Sequence, residues 1–224
     1  MKRLAISLCG VAFFLAASAH GATVTYSDTT AFSNVTTGIT TIDFGPGDLG
    51  PVAGGILTTY SPITVSGTYC GSPNLSVVAS PSPETHDIDW GTEMARIGGG
   101  CGNASDGIRI NLGAGFTAAA IRIASFWEGQ TVVVKLSTGD TYSVSTANAP
   151  PATFWGFTSD VAVTYIDVSG GGNFAPLVGQ IQYGVAGAAG DGGGETPEAM
   201  TLLLIGSGLL IFRGMKRFVP VSAA

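Results

Sequence analysis

The stretch TVVVKLSTGDTYSVST, residues 131–146, decides the fold class. Val132, Val134 and Leu136 alternate with Val133, Lys135 and Ser137, and a period of two puts the first three on one face of an extended strand. After Ser137-Thr138-Gly139-Asp140, a run with turn chemistry, Tyr142 and Val144 continue the same period on a return strand. The segment reads as a β-hairpin with one apolar and one polar face. Such a hairpin belongs to an antiparallel sheet that covers a core on one side.

Seven further segments share the character of the hairpin: GITTIDF (38–44), PITVSG (62–67), NLSVVAS (74–80), GIRINL (107–112), AAIRIAS (119–125), VAVTYIDVS (161–169) and VGQIQYG (178–184). Each is rich in β-branched or aromatic residues and bounded by Gly, Pro, Asn or Asp. In AAIRIAS, Ile121 and Ile123 share a face, and Arg122 is expected on a solvated one. VAVTYIDVS carries large residues on both faces, which suits a strand covered by a second sheet and partly covered outside. No convincing helical pattern interrupts the series. The expectation is an all-β, antiparallel β-sandwich of jelly-roll type over residues 23–184, one domain with a sizeable core.

Charge narrows the range of partners. Between Thr23 and Glu195 the basic residues are Arg96, Arg109, Arg122 and Lys135, against 14 acids, a net of −10. A body this acidic is repelled by phosphate backbones, which argues against nucleic-acid binding. The remaining basic residues, Lys2, Arg3, Arg213, Lys216 and Arg217, flank two apolar ends.

Residues 1–22 read as a secretory signal: Lys2 and Arg3 form the basic region, LAISLCGVAFFLAA the apolar region, and ASAHGA the small residues needed for cleavage. Cleavage is expected between Ala19 and Ala22, with Ala17 and Ala19 fitting the small-x-small rule and Ala22 giving a mature start at TVTYSD. A retained span is the alternative. Cys9 follows Leu8 and precedes most of the apolar run, which is not a lipoprotein arrangement. Once Cys9 leaves with the signal, Cys70 and Cys101 form an even pair in an oxidising compartment, and a disulfide is expected. Two buried free thiols are the alternative. The bridge would close a loop of about 30 residues and contribute about 3 to 4 kcal/mol on the loop-entropy scale.

Composition changes again at GVAGAAGDGGGE, residues 184–195, where Gly and Ala bury too little apolar surface to offset chain entropy, so residues 185–195 are expected to form a flexible linker. Beyond it comes TPEAMTLLLIGSGLLIFRGMKRF, residues 196–218, then a short tail at 219–224. Met200 to Phe212 is apolar apart from Thr201 and Ser207. As a helix it spans about 20 Å, short of the roughly 30 Å hydrocarbon core of a bilayer. The basic cluster Arg213, Lys216 and Arg217 should remain cytoplasmic, placing the β domain outside the cytoplasmic membrane.

The order Pro197-Glu198, an apolar helix containing GSGLL, and a terminal Arg/Lys cluster behind a signal peptide resembles the PEP-CTERM sorting signal of bacterial exported proteins. The resemblance covers about 25 residues of the tail. It implies recognition at Pro197 and Glu198 by an exosortase, a membrane-embedded cysteine protease, and processing on the way to the cell surface. The family's third motif residue is Pro, whereas this chain has Ala199, and VPVSAA extends past the usual ending. The body, through TIDFGPGDLG, YSPITVSG and TFWGFTSDVAVTYIDVSGGGNFAPLVGQIQYG, is similar to the β-sandwich domains that precede such tails. The closing strand of many relatives reads ALDNLQYG. APLVGQIQYG lacks its Asp-Asn pair, so no ligand role of those groups carries over.

Chemistry-bearing residues are few. His86 is the one histidine certain to survive signal removal, and it lies in SPSPETHDIDWGTE with Glu84, Asp87, Asp89 and Glu93. A hydrolase or metal site could be built there. A polar loop broken by Pro81 and Pro83, its acids in water, is the simpler reading, because transition-metal sites recruit more than one His or Cys. Calcium is the more plausible ion, through Asp87 and Asp89 or through Asp43 and Asp48 in DFGPGDLG, although neither has EF-hand spacing. Trp90, Trp127 and Trp155, with Tyr60 and Tyr69, are candidate sugar-stacking aromatics, and Trp155 in FWGF fits a core better. GGGCG at 98–102 lacks the Lys-Ser/Thr of a phosphate loop. Asn34, Asn74 and Asn103 begin chance sequons.

The sequence therefore leads to an exported, cell-surface or matrix β-sandwich protein, non-enzymatic and cofactor-free. Its expected partners are an exosortase-type protease, the cytoplasmic membrane in transit, and exopolysaccharide or another glycan. A secreted carbohydrate-active or calcium-dependent enzyme using Glu84–Asp89 is the alternative.

Overall fold

The computed structural model describes residues 21–98, 106–125, 130–146, 149–170 and 176–187. The chain opens with β1 (Thr23–Tyr26), helix α1 (Thr29–Asn34), β2 (Thr36–Ile42), β3 (Gly50–Pro51), β4 (Ile56–Leu57), β5 (Thr64–Tyr69), β6 (Ser72–Pro73), β7 (Ser76–Val78) and β8 (Met94–Arg96). It continues with β9 (Gly107–Asn111), β10 (Ala118–Ser125), β11 (Thr131–Leu136), β12 (Thr141–Ser145), β13 (Thr153–Ser159), β14 (Tyr165–Gly170) and β15 (Pro176–Ala186). The first sheet runs β1-β13-β10-β15-β8-β7-β3, with β2 also on β15; the second runs β12-β11-β14-β9-β5-β4, with β6 on β5. Neighbours pair antiparallel throughout, so the all-β, sandwich-like class expected from the sequence is the one observed.

The hairpin forms in the expected register. Val132 faces Val144 and Val134 faces Tyr142. Val132, Val134 and Leu136 are fully buried while Lys135 is exposed. Gly139 sits at φ 98°, a left-handed conformation open to glycine, and its N–H donates to the Leu136 carbonyl at 2.9 Å to close the turn. One core joins the sheets: Ile121, Trp155, Phe157 and Ile181 of the first pack with Ile108, Ile110, Val134 and Ile166 of the second. Each such side chain removed from water stabilises the fold by about 1.5 to 3 kcal/mol before entropy is counted.

The outer side of the first sheet is covered as well over β10 and β13. Asp28 caps α1 by accepting a hydrogen bond from the Ala31 N–H at 2.8 Å, and the helix presses Phe32 onto Ala118, Ala120 and Phe154. Space for that ring comes from small residues beneath it: a Cβ on Gly156 would lie 2.9 Å from the Ala120 Cβ and 3.1 Å from the Phe32 ring. A second patch, Val78, Trp90, Met94, Ala124, Ala152 and Leu177, seats the 79–93 loop.

Several expectations change. A helix is present after all, α1, whose signal was Asp28 at the cap ahead of Phe32. Of VAVTYIDVS, the strand begins only at Tyr165. Strand β13, bounded by polar ends and without alternation, is not among the strands read from alternation and composition; only the family resemblance implied a strand there, at Phe154-Trp155-Gly156-Phe157. Arg122 is half-covered: its guanidinium lies 6.0 Å from the Phe154 ring centroid and donates to the Ala152 carbonyl at 3.4 Å. The last strand runs through Ala186, where the compact unit also ends, two residues past Gly184.

Among the described residues no helix is long and apolar enough to cross a membrane. The expected signal peptide, the linker beyond residue 187, Pro197, Glu198 and the apolar tail lie outside the described residues, as do Cys101 and Trp127.

Candidate functional site

Four strands of the second sheet turn a polar face outward. Alternation sends Lys135 and Val133 out from β11, Asp167, Tyr165 and Ser169 from β14, Arg109 and Asn111 from β9, and Ser66 and Thr68 from β5, opposite to the buried Val132, Val134, Ile166, Val168, Ile108, Ile110 and Val65. Register then lines up one rung across the sheet: Lys135 pairs with Asp167, Asp167 with Arg109, and Arg109 with Ser66. The face forms an open concavity of about 600 Å³ lined by Ser66, Asp106, Arg109, Val133, Lys135 and Asp167, among others.

Arg109 organises the centre. Its Nε donates to Asp167 Oδ1 at 2.6 Å and its Nη2 to Oδ2 at 2.8 Å, a bidentate pair. Its Cζ stands 4.1 Å from the Tyr165 ring centroid, within reach of a cation–π interaction. The Asp167 hydrogen bond raises the Arg109 pKa above its ordinary value. The pair is open to water, with side chains 47% and 30% exposed, so its contribution to stability is about 0 to 1 kcal/mol. A guanidinium has five N–H groups, and Asp167 takes two, which leaves Nη1 and one Nη2 hydrogen free to bind something else. Lys135 is exposed and makes no ion pair among the described residues. Asn111 donates to Thr64 Oγ1 at 3.0 Å and extends the polar rows. The arrangement sets donors and acceptors side by side along one rung.

The residues singled out from sequence fall elsewhere. Glu84, His86, Asp87 and Asp89 are exposed on the loop joining β7 to β8. Glu84 is paired with Arg96 at 2.8 Å, Glu93 accepts from the Ser80 N–H at 2.9 Å, and Asp89 accepts from the Gly91 N–H at 2.9 Å. These acids serve the loop itself. In the other proposed calcium loop, Asp48 accepts from the Gly45 N–H at 2.9 Å and from the Tyr60 hydroxyl, and Asp43 Oδ1 accepts from Gln180 at 2.9 Å. Burial first, then the bond to Asp48, pushes the Tyr60 hydroxyl up to about 12. Among the described residues no three His, Cys, Asp or Glu side chains come together as a metal-binding group.

Trp155 is core, as its neighbours suggested, and Trp90 is buried too, where the 79–93 loop packs it against Met94 and Leu177. Cys70 is disulfide-bonded, and the N–H groups of Cys70 and Gly71 donate to the buried Asp106 carboxylate at 2.9 and 3.3 Å. Its expected partner Cys101 is outside the described residues, so the Cys70–Cys101 pairing stays an expectation.

Sequence reasoning missed the Arg109–Asp167–Lys135 rung because its members come from three separated strands. The available signal was that Lys135, Asp167 and Arg109 each stand between inward-facing apolar residues in their own strands. No family model matches the chain, and no curated protein matches it.

Proposed function

We propose that the protein is an exported, non-enzymatic cell-surface or matrix component. In this reading a jelly-roll-like sandwich is carried out behind a signal peptide, and a PEP-CTERM-like tail at Pro197 and Glu198 is read by an exosortase-type protease. The polar outer face of the second sheet binds exopolysaccharide. The observation that carries the binding role is the solvent-open array of Arg109, Asp167 and Lys135 on one rung, in a sandwich whose first sheet is covered on its outer side over β10 and β13. Saccharide hydroxyls are both donors and acceptors, and a guanidinium-carboxylate pair with free N–H groups and lone pairs serves both.

Delivery is tested by mass spectrometry of the mature C-terminus with cell fractionation. A C-terminus near Pro197 or Glu198 in a surface or released fraction is expected. Recovery of intact residues 218–224 from the membrane contradicts sorting and favours a permanent anchor.

A further inference from the structure

Resting on the glycan-binding reading of this face, we propose that its ligand is a linear polysaccharide carrying one carboxylate per repeat, a uronate polymer lying across the strands and seated by Lys135 and Arg109. Of the four cations between Thr23 and Glu195, two stand on one rung of one face. The single acid between them, Asp167, is engaged by Arg109 through both oxygens. Asp106, at the margin, is buried and holds the Cys70 and Gly71 N–H groups. Lys135 is therefore the one charge of the rung without an ion pair among the described residues, and the concavity, with Arg109 and Lys135 against Asp167 and Asp106, is formally neutral on a body that is strongly negative.

That contrast selects the kind of anion. At physiological salt, fields fade over about 8 Å, so a carboxylate on the face meets Lys135 before it meets the acids of the remote loops. A dense polyanion has many charges outside that radius and is repelled by the body; a sparsely charged chain is not. Spacing agrees with this. Lys135 and Arg109 flank β14, two strand separations or about 9.5 Å apart at the backbone. That separation is comparable to one disaccharide of an extended chain. Arg109, its guanidinium over the Tyr165 ring, supplies donors beside it, and the hydroxyl of Ser66 ends the rung. Nothing in the geometry demands a metal bridge.

The test titrates the full-length protein, in detergent, with hyaluronate, whose disaccharide repeat carries one uronate carboxylate, with dextran as the neutral polymer and with polyphosphate as the dense polyanion. Hyaluronate is expected to bind best and to weaken as salt is raised. Lys135→Gln should weaken it about tenfold, the effect of losing one charge-assisted bond, with the melting temperature unchanged. Asp167→Asn, which lowers the local negative charge, should strengthen it, a gain that a purely structural role would not produce. Dextran bound as tightly as hyaluronate and indifferent to Lys135→Gln overturns the uronate assignment and leaves the glycan-binding face standing. Polyphosphate bound as well as hyaluronate overturns it as unselective charge attraction. Binding of none of the three overturns both readings.

Discussion

The two sheets of this sandwich share one core and differ in what lies on their outer faces. Every residue of β10 except Arg122, and every residue of β13 except Thr153, is buried, whereas β9, β11, β12 and β14 alternate buried with open positions. Over β10 and β13 the first sheet is covered outside by Phe32 of α1 and by the loop carrying Trp90. The second faces water. The centre of one sheet is thus built as an interior element, and the other keeps an open polar surface. A rigid sheet positions its outward side chains better than a loop does, which is why the binding role is assigned to β9, β11 and β14 rather than to the 79–93 loop.

Substitutions can break this asymmetry, beginning with the plug. Phe32 is fully buried, and Phe32→Ala should lower unfolding free energy by about 3 to 5 kcal/mol, read from urea denaturation, through lost transfer energy and the cavity left over Ala118 and Ala120. A loss below about 1 kcal/mol would mean that the helix does not seal the sheet. Cys70→Ser should destabilise by about 2 to 4 kcal/mol, and non-reducing peptide mapping should link Cys70 to Cys101. Finding both thiols alkylatable without reductant contradicts the bridge. Next comes Gly156→Ala, where the added methyl meets Ala120 and Phe32; about 1 to 3 kcal/mol of overpacking is expected, and a neutral result would show that Phe32 can withdraw.

The burial of Tyr60, together with its hydrogen bond to Asp48, makes the stability respond to alkali. The folded state holds the Tyr60 proton up to about 12, above the ordinary value of 10.0, so its stabilising effect is complete below pH 10 and is lost as pH climbs through 12. Denaturation between these limits should show stability falling with pH, and Tyr60→Phe should flatten the slope. Some slope should remain, since burial also raises Tyr142. An unchanged slope would contradict the role of Tyr60. The smallest effect is on the open face: removing Arg109 and Asp167 together should change stability by about 1 kcal/mol or less, because the pair is exposed.

The same asymmetry governs what was legible in the sequence. The open sheet announced itself, because Val132, Val134 and Leu136 alternate with polar neighbours, as do Ile108 and Ile110 around Arg109. The covered sheet was harder to read. Strands buried on both faces lose the period of two, so TFWGFTS showed no alternation; its strand was implied only by the family resemblance, although Trp155 read as core. Helix α1 is too short to show helical periodicity, and only its cap betrayed it. Trp90 could not be placed from sequence, since its burial depends on how the 79–93 loop folds over Met94 and Leu177. The candidate site was hidden for a different reason. Lys135, Asp167 and Arg109 are isolated in the chain, and antiparallel register alone makes them neighbours.

The division of labour between the sheets is tested most directly by affinity electrophoresis of the Arg109→Ala/Asp167→Ala double variant through gels containing crude exopolysaccharide from the source organism, alongside its melting curve. The variant should melt with the unsubstituted protein and migrate without the retardation that the latter shows. Retardation equal to that of the unsubstituted protein, at the same melting temperature, would contradict the assignment of binding to the open face of the second sheet.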